Sequence, residues 1–391
     1  MVQALFTMTK TEPMNAQAAF CPNLACEARG EVGKGNIVSH GEQRQRYKCK
    51  GCGKTFSATA GTMFAGVRSE TELVVIVVTL LANGCPLQAI VQAYGLDERT
   101  VAAWRDRAGE HCERVHEAVV QQGKLELAHV QADEIRVKGQ QLIVWMGMAI
   151  MVGTRLWLGG VVSEKRNRGL ADQLLGMVRT CARTGCALLV ITDGWAAYPN
   201  AIQRAFRSKV LRAGQPGRCH LQIWDNLGIA TLVKHTGCPL GQAGKQLFQV
   251  TRHIVRGTAE FVAQQLTLSH GGVLIHTAYI ERLNATFRQR LALLTRRSRQ
   301  AATHIATLHT AMFLLGTTYN FCSVHHSLRQ PNFDNPALPR WSQQTPAMAS
   351  GLTNHVWSIL ELLSFKVAPT PFLPPKRRGR PKKLALTSST T

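Results

Sequence analysis

Three carboxylates stand where they can converge on one site: Asp133, Asp193 and Glu281. Asp133 follows the strand-like run Ala128-His-Val-Gln-Ala and reads as the end of a first core strand. Asp193 follows the apolar run Ala187-Leu-Leu-Val-Ile-Thr192 and precedes Gly194, so it reads as the end of a buried strand. The carboxyl ends of strands in a parallel sheet border the crevice where ligands bind. Glu281 opens a basic helix. Carboxylate oxygens are hard ligands that suit magnesium or manganese. Two such ions activate an attacking hydroxyl and stabilise a leaving oxygen, which is what phosphodiester cleavage and strand transfer require. Plainer roles exist for each: a turn or cap for Asp193, a solvated helix charge for Glu281. Glu134 competes with Asp133, although strand alternation points it to the opposite face. Asp172 and Asp225 lack strand-end positions.

The helix of Glu281 adds detail. Asn284 lies one turn on and shares its face, so it is expected to touch the metal site or a nucleotide. Arg282, Arg288, Arg290, Arg296, Arg297 and Arg299 make the segment a phosphate-binding surface. His276 is close by, but a lone histidine is more often structural.

Cys21, Cys26, Cys49 and Cys52 form two close pairs. Four thiolates so spaced suit tetrahedral zinc in a structural role, since a small basic segment lacks a core without metal. Tyr47 and Phe56 flank the second pair, and Arg44, Arg46, Lys48, Lys50 and Lys54 would lie on the metal-ordered surface. The other cysteines read as ordinary thiols. A second site from Cys219, His220, His235 and Cys238 matches no common knuckle spacing.

Leu87–Leu96 reads as a short amphipathic helix with a turn at Gly95, and Asp97 as the N-cap of a second helix. In a helix-turn-helix, Arg99, Thr100, Arg105 and Arg107 would face a DNA groove or its phosphates, with Val101 and Trp104 packed inward. A plain helical hairpin is the alternative.

These segments need positioning elements, and the chain is long enough for two or three domains at 391 residues. Residues 1–19 read as a leader, 20–60 as the zinc-binding segment and 69–121 as the helical segment. Residues 127–330 read as a mixed α/β sheet domain. In it, 142–150 and 155–162 make a hairpin, followed by a helix at 170–184, the strand at 187–192 and a helix at 196–206. An insertion at about 213–275 is expected to be helical, and 300–322 is an apolar helix behind that of Glu281. Residues 331–391 are expected to be extended or disordered. The formal net charge is +23, and the run Lys376–Lys383 carries only six of those charges. So basic a chain calls for a polyanion partner. The N-terminus shows no secretory pattern, and no apolar run reads as a membrane span.

Together, Asp133-Glu134, Thr192-Asp-Gly-Trp195-x-x-Tyr198 and Ile280-Glu-Arg-x-Asn284-x-x-x-Arg288-Gln-x-Leu291 resemble the DDE transposases of small bacterial insertion sequences, in particular the simple group described first. The likeness spans about residues 20–330. It implies a zinc ribbon, a helix-turn-helix and a ribonuclease-H-like core. It also implies Asp133, Asp193 and Glu281 as a metal-binding catalytic triad, double-stranded DNA as partner, assembly as a homodimer or higher oligomer, and a cytoplasmic, nucleoid-associated protein of a prokaryote. Two features depart from compact members: the longer stretch from Asp193 to Glu281, and a C-terminal extension. In the extension, Arg378-Gly-Arg380-Pro381 looks like an AT-hook for the minor groove, or an unspecific basic tail. A non-catalytic DNA-binding regulator and a host nuclease of the same fold are the competing readings.

Overall fold

The computed structural model describes residues 16–41, 46–138, 143–210, 219–235, 249–294, 304–332 and 339–372. Arg44, Cys238, Arg296, Arg297, Arg299 and the Arg378–Arg380 motif lie outside them, as does most of the leader. The chain divides into two compact units, Met1–Gly61 with Ala368–Thr391 and Thr62–Val367.

In the first unit, β1 (Ile37–Ser39), β2 (Arg46–Cys49) and β3 (Thr55–Ser57) form a small antiparallel sheet. Its core is slight: Ala19, Ile37 and Tyr47 around buried Cys21, Cys26 and Cys49.

The second unit opens with α1 (Thr71–Ala82), α2 (Leu87–Tyr94) and α3 (Glu98–Val119). Gly95 ends α2 with φ +62°, a conformation that glycine adopts freely. Asp97 caps α3 by accepting from the Arg99 and Thr100 amides at 2.9 and 3.2 Å. Val101 and Trp104 are buried as the pattern requires. The helices do not form a separate compact domain, as a free helix-turn-helix would. They share one apolar core with the sheet helices.

The sheet runs as anticipated. Strands β4 (Ala128–Lys138), β5 (Ile143–Met151) and β6 (Leu156–Ser163) form an antiparallel meander. Helix α4 (Arg168–Cys181) crosses to β7 (Leu188–Asp193), which lies parallel to β4 on its other side. Leu188, Leu189, Val190 and Ile191 are fully buried, as befits a parallel strand covered on both faces. Helix α5 (Ala197–Ala205) follows.

The segment 213–275 departs from expectation. After the hairpin β8 (Arg207–Val210) and β9 (His220–Ile223), the chain adds β10 (Leu227–His235) parallel to β7 and β11 (Gln249–Arg256) at the edge. Only α6 (Ala259–Leu268) is helical among its described residues. The run Leu227-Gly-Ile-Ala-Thr-Leu-Val was the missed signal: it is apolar and β-branched enough to extend the sheet. The six-stranded sheet has the order β11-β10-β7-β4-β5-β6. Cys219 is exposed and the His235 ring meets Thr251, and Cys219, His220 and His235 form no metal-holding group among the described residues.

Helix α7 (Ala278–Arg290) carries Glu281, and α8 (Ile305–Phe321) is buried on nearly every side. The remainder is not all tail. Strands β12 (Gln330–Pro331) and β13 (Trp341–Ser342) pair, and α9 (Pro346–Ala349) and α10 (Ile359–Ser364) follow. Trp357 packs on Phe321 with ring centroids 4.5 Å apart, and Leu362 and Leu363 are fully buried. Scattered apolar residues in a Pro- and Ser-rich stretch hide such a wrap, because no period announces it. No described helix is long and apolar enough to cross a membrane.

Candidate functional site

Asp133 lies in the middle of β4, not at its end. The reason is the uneven pairing of that strand. Its parallel ladder with β7 stops at Ala132 opposite Thr192, while its antiparallel ladder with β5 continues to Lys138. Asp133 is therefore the first residue beyond the parallel pair, and Asp193 is the last of β7. Asp193 also pairs with Leu232 of β10. A side chain at Gly194 would place its Cβ 2.9 Å from Val233, so this turn needs glycine for close approach.

Glu281 reaches the same place through Gln131. That buried side chain accepts from the Tyr279 and Ile280 amides at 3.1 Å each and donates to the His276 carbonyl at 2.7 Å. It thereby satisfies free amides at the start of α7. Gln131 and Asp133 share one face of β4, so the strand that supplies one carboxylate also docks the helix of another. Nothing in the sequence reading singled out Gln131. His276 Nδ1 accepts from the Ala278 amide. Asn284, buried on α7, donates to Asp133 Oδ2 at 2.8 Å, and so meets the site through that carboxylate.

Asp133, Glu134 and Asp193 each bring a carboxylate oxygen within 4.8 Å of the others. Glu281 stands outside that group but lines the same cleft, of about 570 Å³, with Asp133, Asp193, Arg166 and Lys234. Glu134 does point to the other face of the sheet, toward α5, where Tyr198 Oη donates to its Oε2 at 2.7 Å. Its long side chain nevertheless returns its carboxylate to the cluster. Strand phase alone was therefore insufficient to set it aside.

Two cations contact the carboxylates of the cleft. Arg166 donates to Glu134 and, at 3.2 Å, to Asp193 Oδ2, with its guanidinium 4.5 Å from the Trp195 ring centre and 5.3 Å from that of Trp145. Lys234 donates to Glu281 Oε1 at 2.8 Å, and Thr277 Oγ1 does so at 2.7 Å. Burial, then the Glu134 charge, pushes Asp133 up to about 6. Burial likewise raises Glu134. Glu281 is held below the usual carboxylate range: burial opposes its charge, but Lys234 and Thr277 outweigh it. A cluster that resists ionising without a nearby cation is one that a divalent ion would relieve.

The DNA-facing expectations divide. Arg99, Arg282 and Arg288 are exposed and Thr100 is half-buried. Arg105 is largely covered and donates to Asp106, and Arg107 donates to the Ala65 carbonyl. Those two have intramolecular work that spacing could not reveal. Arg155, in the left-handed region at φ +61°, stacks on Tyr279 at 4.0 Å. It shares the surroundings of Tyr319 with Arg282 and Arg290.

In the first unit, the sulfurs of Cys21, Cys26, Cys49 and Cys52 lie within 4.8 Å of one another. The Cys21–Cys52 and Cys26–Cys49 separations are 3.7 and 3.9 Å. Ligands about 2.3 Å from a tetrahedral centre stand about 3.8 Å apart, so these four residues can hold one metal ion. Tyr47 is buried beside them, with Phe56 at 5.8 Å. Lys48, Lys50 and Lys54 are exposed. Comparison with known proteins returns no matching family model and no curated protein of significant similarity.

Proposed function

We propose that the chain is a DNA transposase of the DDE type, cleaving element ends and joining them to target DNA. The observation that carries this reading is that Asp133, Asp193 and Glu281, far apart in sequence, line one cleft. The antiparallel meander followed by helix-linked parallel strands supports a ribonuclease-H-like core. Asp133 and Asp193, with Glu281 nearby, would hold magnesium or manganese. Such ions activate the attacking hydroxyl and stabilise the leaving oxygen. Asn284 orients Asp133, and Tyr198 orients Glu134. Arg155, Arg282 and Arg290 offer a basic surface for the phosphate backbone. The four-cysteine cluster, read as a zinc ribbon, and α2–α3, read as a helix-turn-helix, would bind the double-stranded ends, and the Arg378–Arg380 motif would add minor-groove contacts. Joining two ends calls for a homodimer or larger assembly.

The test is cleavage and end-joining of DNA carrying the sequences that flank the coding region, in magnesium. Asp193→Ala should abolish both reactions while end binding persists. Joining by that variant at the wild-type rate would remove Asp193 from the catalytic site, whereas binding of the ends with no cleavage or joining by the wild-type chain would leave a DNA-binding regulator.

A further inference from the structure

Arg166 sits where a bound cation would draw its charge balance. Its guanidinium bridges Glu134 and Asp193, from two different strands. The Glu134 side chain is only 2% exposed, so this contact is largely withdrawn from water. Glu134 and Asp193 are also two of the three carboxylates whose oxygens lie within 4.8 Å of one another. Arg166 therefore engages groups that a metal ion would engage. A planar guanidinium with several donors suits this bridging role better than a point charge.

Lys234 on Glu281 has a similar sense but a weaker hold. Its side chain is 53% exposed and that of Glu281 is 48% exposed, and exposed pairs are screened by solvent and salt. Arg166, at 32% exposed, is the better shielded cation. Its surroundings also provide a place to rest once a carboxylate is lost. The indole rings of Trp145 and Trp195 both lie within stacking range of it. It can release Asp193 and remain over these rings while still bound to Glu134.

We infer that Arg166 is an internal counter-ion of the carboxylate cluster that competes with a divalent ion for Asp193. This rests on the reading of the cluster as a divalent-cation site. The competition has a defined sign: removing the guanidinium leaves the carboxylates more negative and their oxygens free, so metal should bind more tightly. A merely structural arginine would act oppositely, because its loss would loosen the ligands.

The experiment is manganese binding to the full chain without DNA, followed by the electron paramagnetic resonance signal of free Mn²⁺. Wild-type protein should bind Mn²⁺ in a manner that Asp193→Asn removes. Arg166→Gln should tighten that binding about fivefold or more. Arg166→Lys, which keeps the charge but loses the fork that bridges two carboxylates, should tighten binding clearly less than Arg166→Gln does. Unchanged or weaker binding by Arg166→Gln would overturn the inference and leave the metal site standing. Tightening by Arg166→Lys equal to that by Arg166→Gln would also overturn it, because charge would not be the cause. If wild-type protein showed no Mn²⁺ binding sensitive to Asp193→Asn, the metal-site reading and this inference would fall together.

Discussion

Asp133 is where burial and function pull in opposite directions. Its ordinary value is 3.8, and burial with the neighbouring Glu134 charge lifts it to about 6 in the fold. The protonated form is thus favoured by folding. The associated stability is fully present below about pH 4 and is lost as pH rises through 6. Asp133→Asn mimics the neutral form, and its side-chain oxygen can still accept from Asn284. In chelator near pH 8 it should stabilise the second unit by roughly 2 kcal/mol, and the gain should shrink toward zero near pH 4. Thermal melts at the two pH values check this. A gain independent of pH would mean that the carboxylate charge is not the cost. At this scale much was legible from type and spacing: Asp193 before glycine, Glu281 with Asn284 one turn on. Glu134 and Arg166 were not. Alternation describes where a Cβ points, whereas a long side chain can carry its charged end back around the strand.

Helices α3 and α8 approach so closely that a Cβ added at Gly109 would stand 2.2 Å from the Thr310 carbonyl oxygen. Backbone cannot step aside as a flexible side chain can. Gly109→Ala should destabilise the second unit by about 2 kcal/mol or more despite alanine's better helix propensity. Gly176 in α4 has open space instead. Gly176→Ala should stabilise by about 0.5–1 kcal/mol. Urea unfolding of the two variants tests the pair, and equal effects would mean that the interhelix contact is looser than it stands here. The sequence announced these helices by period, and the β5–β6 hairpin by its turn. It did not announce what α3 packs against, since α8 arrives from about two hundred residues away (Gly109 against Thr310). Strand β10 carries a legible apolar run, but β11, at the sheet edge, shows its identity only through the neighbour it pairs with.

The two compact units differ in how much apolar core each contains. The second unit buries extensive clusters on both sheet faces. The first gathers little beyond Ala19, Ile37, Tyr47 and its cysteines. Its fold should therefore depend on a bound ion. Metal stripping with a strong chelator, or Cys49→Ser, should abolish hydrogen-exchange protection in β1–β3 while leaving that of β4–β7 in place. Retained protection in β1–β3, with no zinc detected in the protein, would show that the cysteines pack as ordinary thiols. The four-cysteine pattern was readable because metal ligation demands fixed spacing. The wrap of residues 341–367 was not, because a few tryptophan and leucine contacts suffice to seat it.

The Gln131 contact to the start of α7 has a mechanical consequence. One strand both bears Asp133 and grips the helix of Glu281. Slow breathing of the sheet would carry these two groups together, as a common-mode displacement. Their spacing should fluctuate less than the spacing of either from Asp193, which rides on a separate strand. The lever for opening or closing this cleft is then the β4–β7 seam, at the point where its ladder ends.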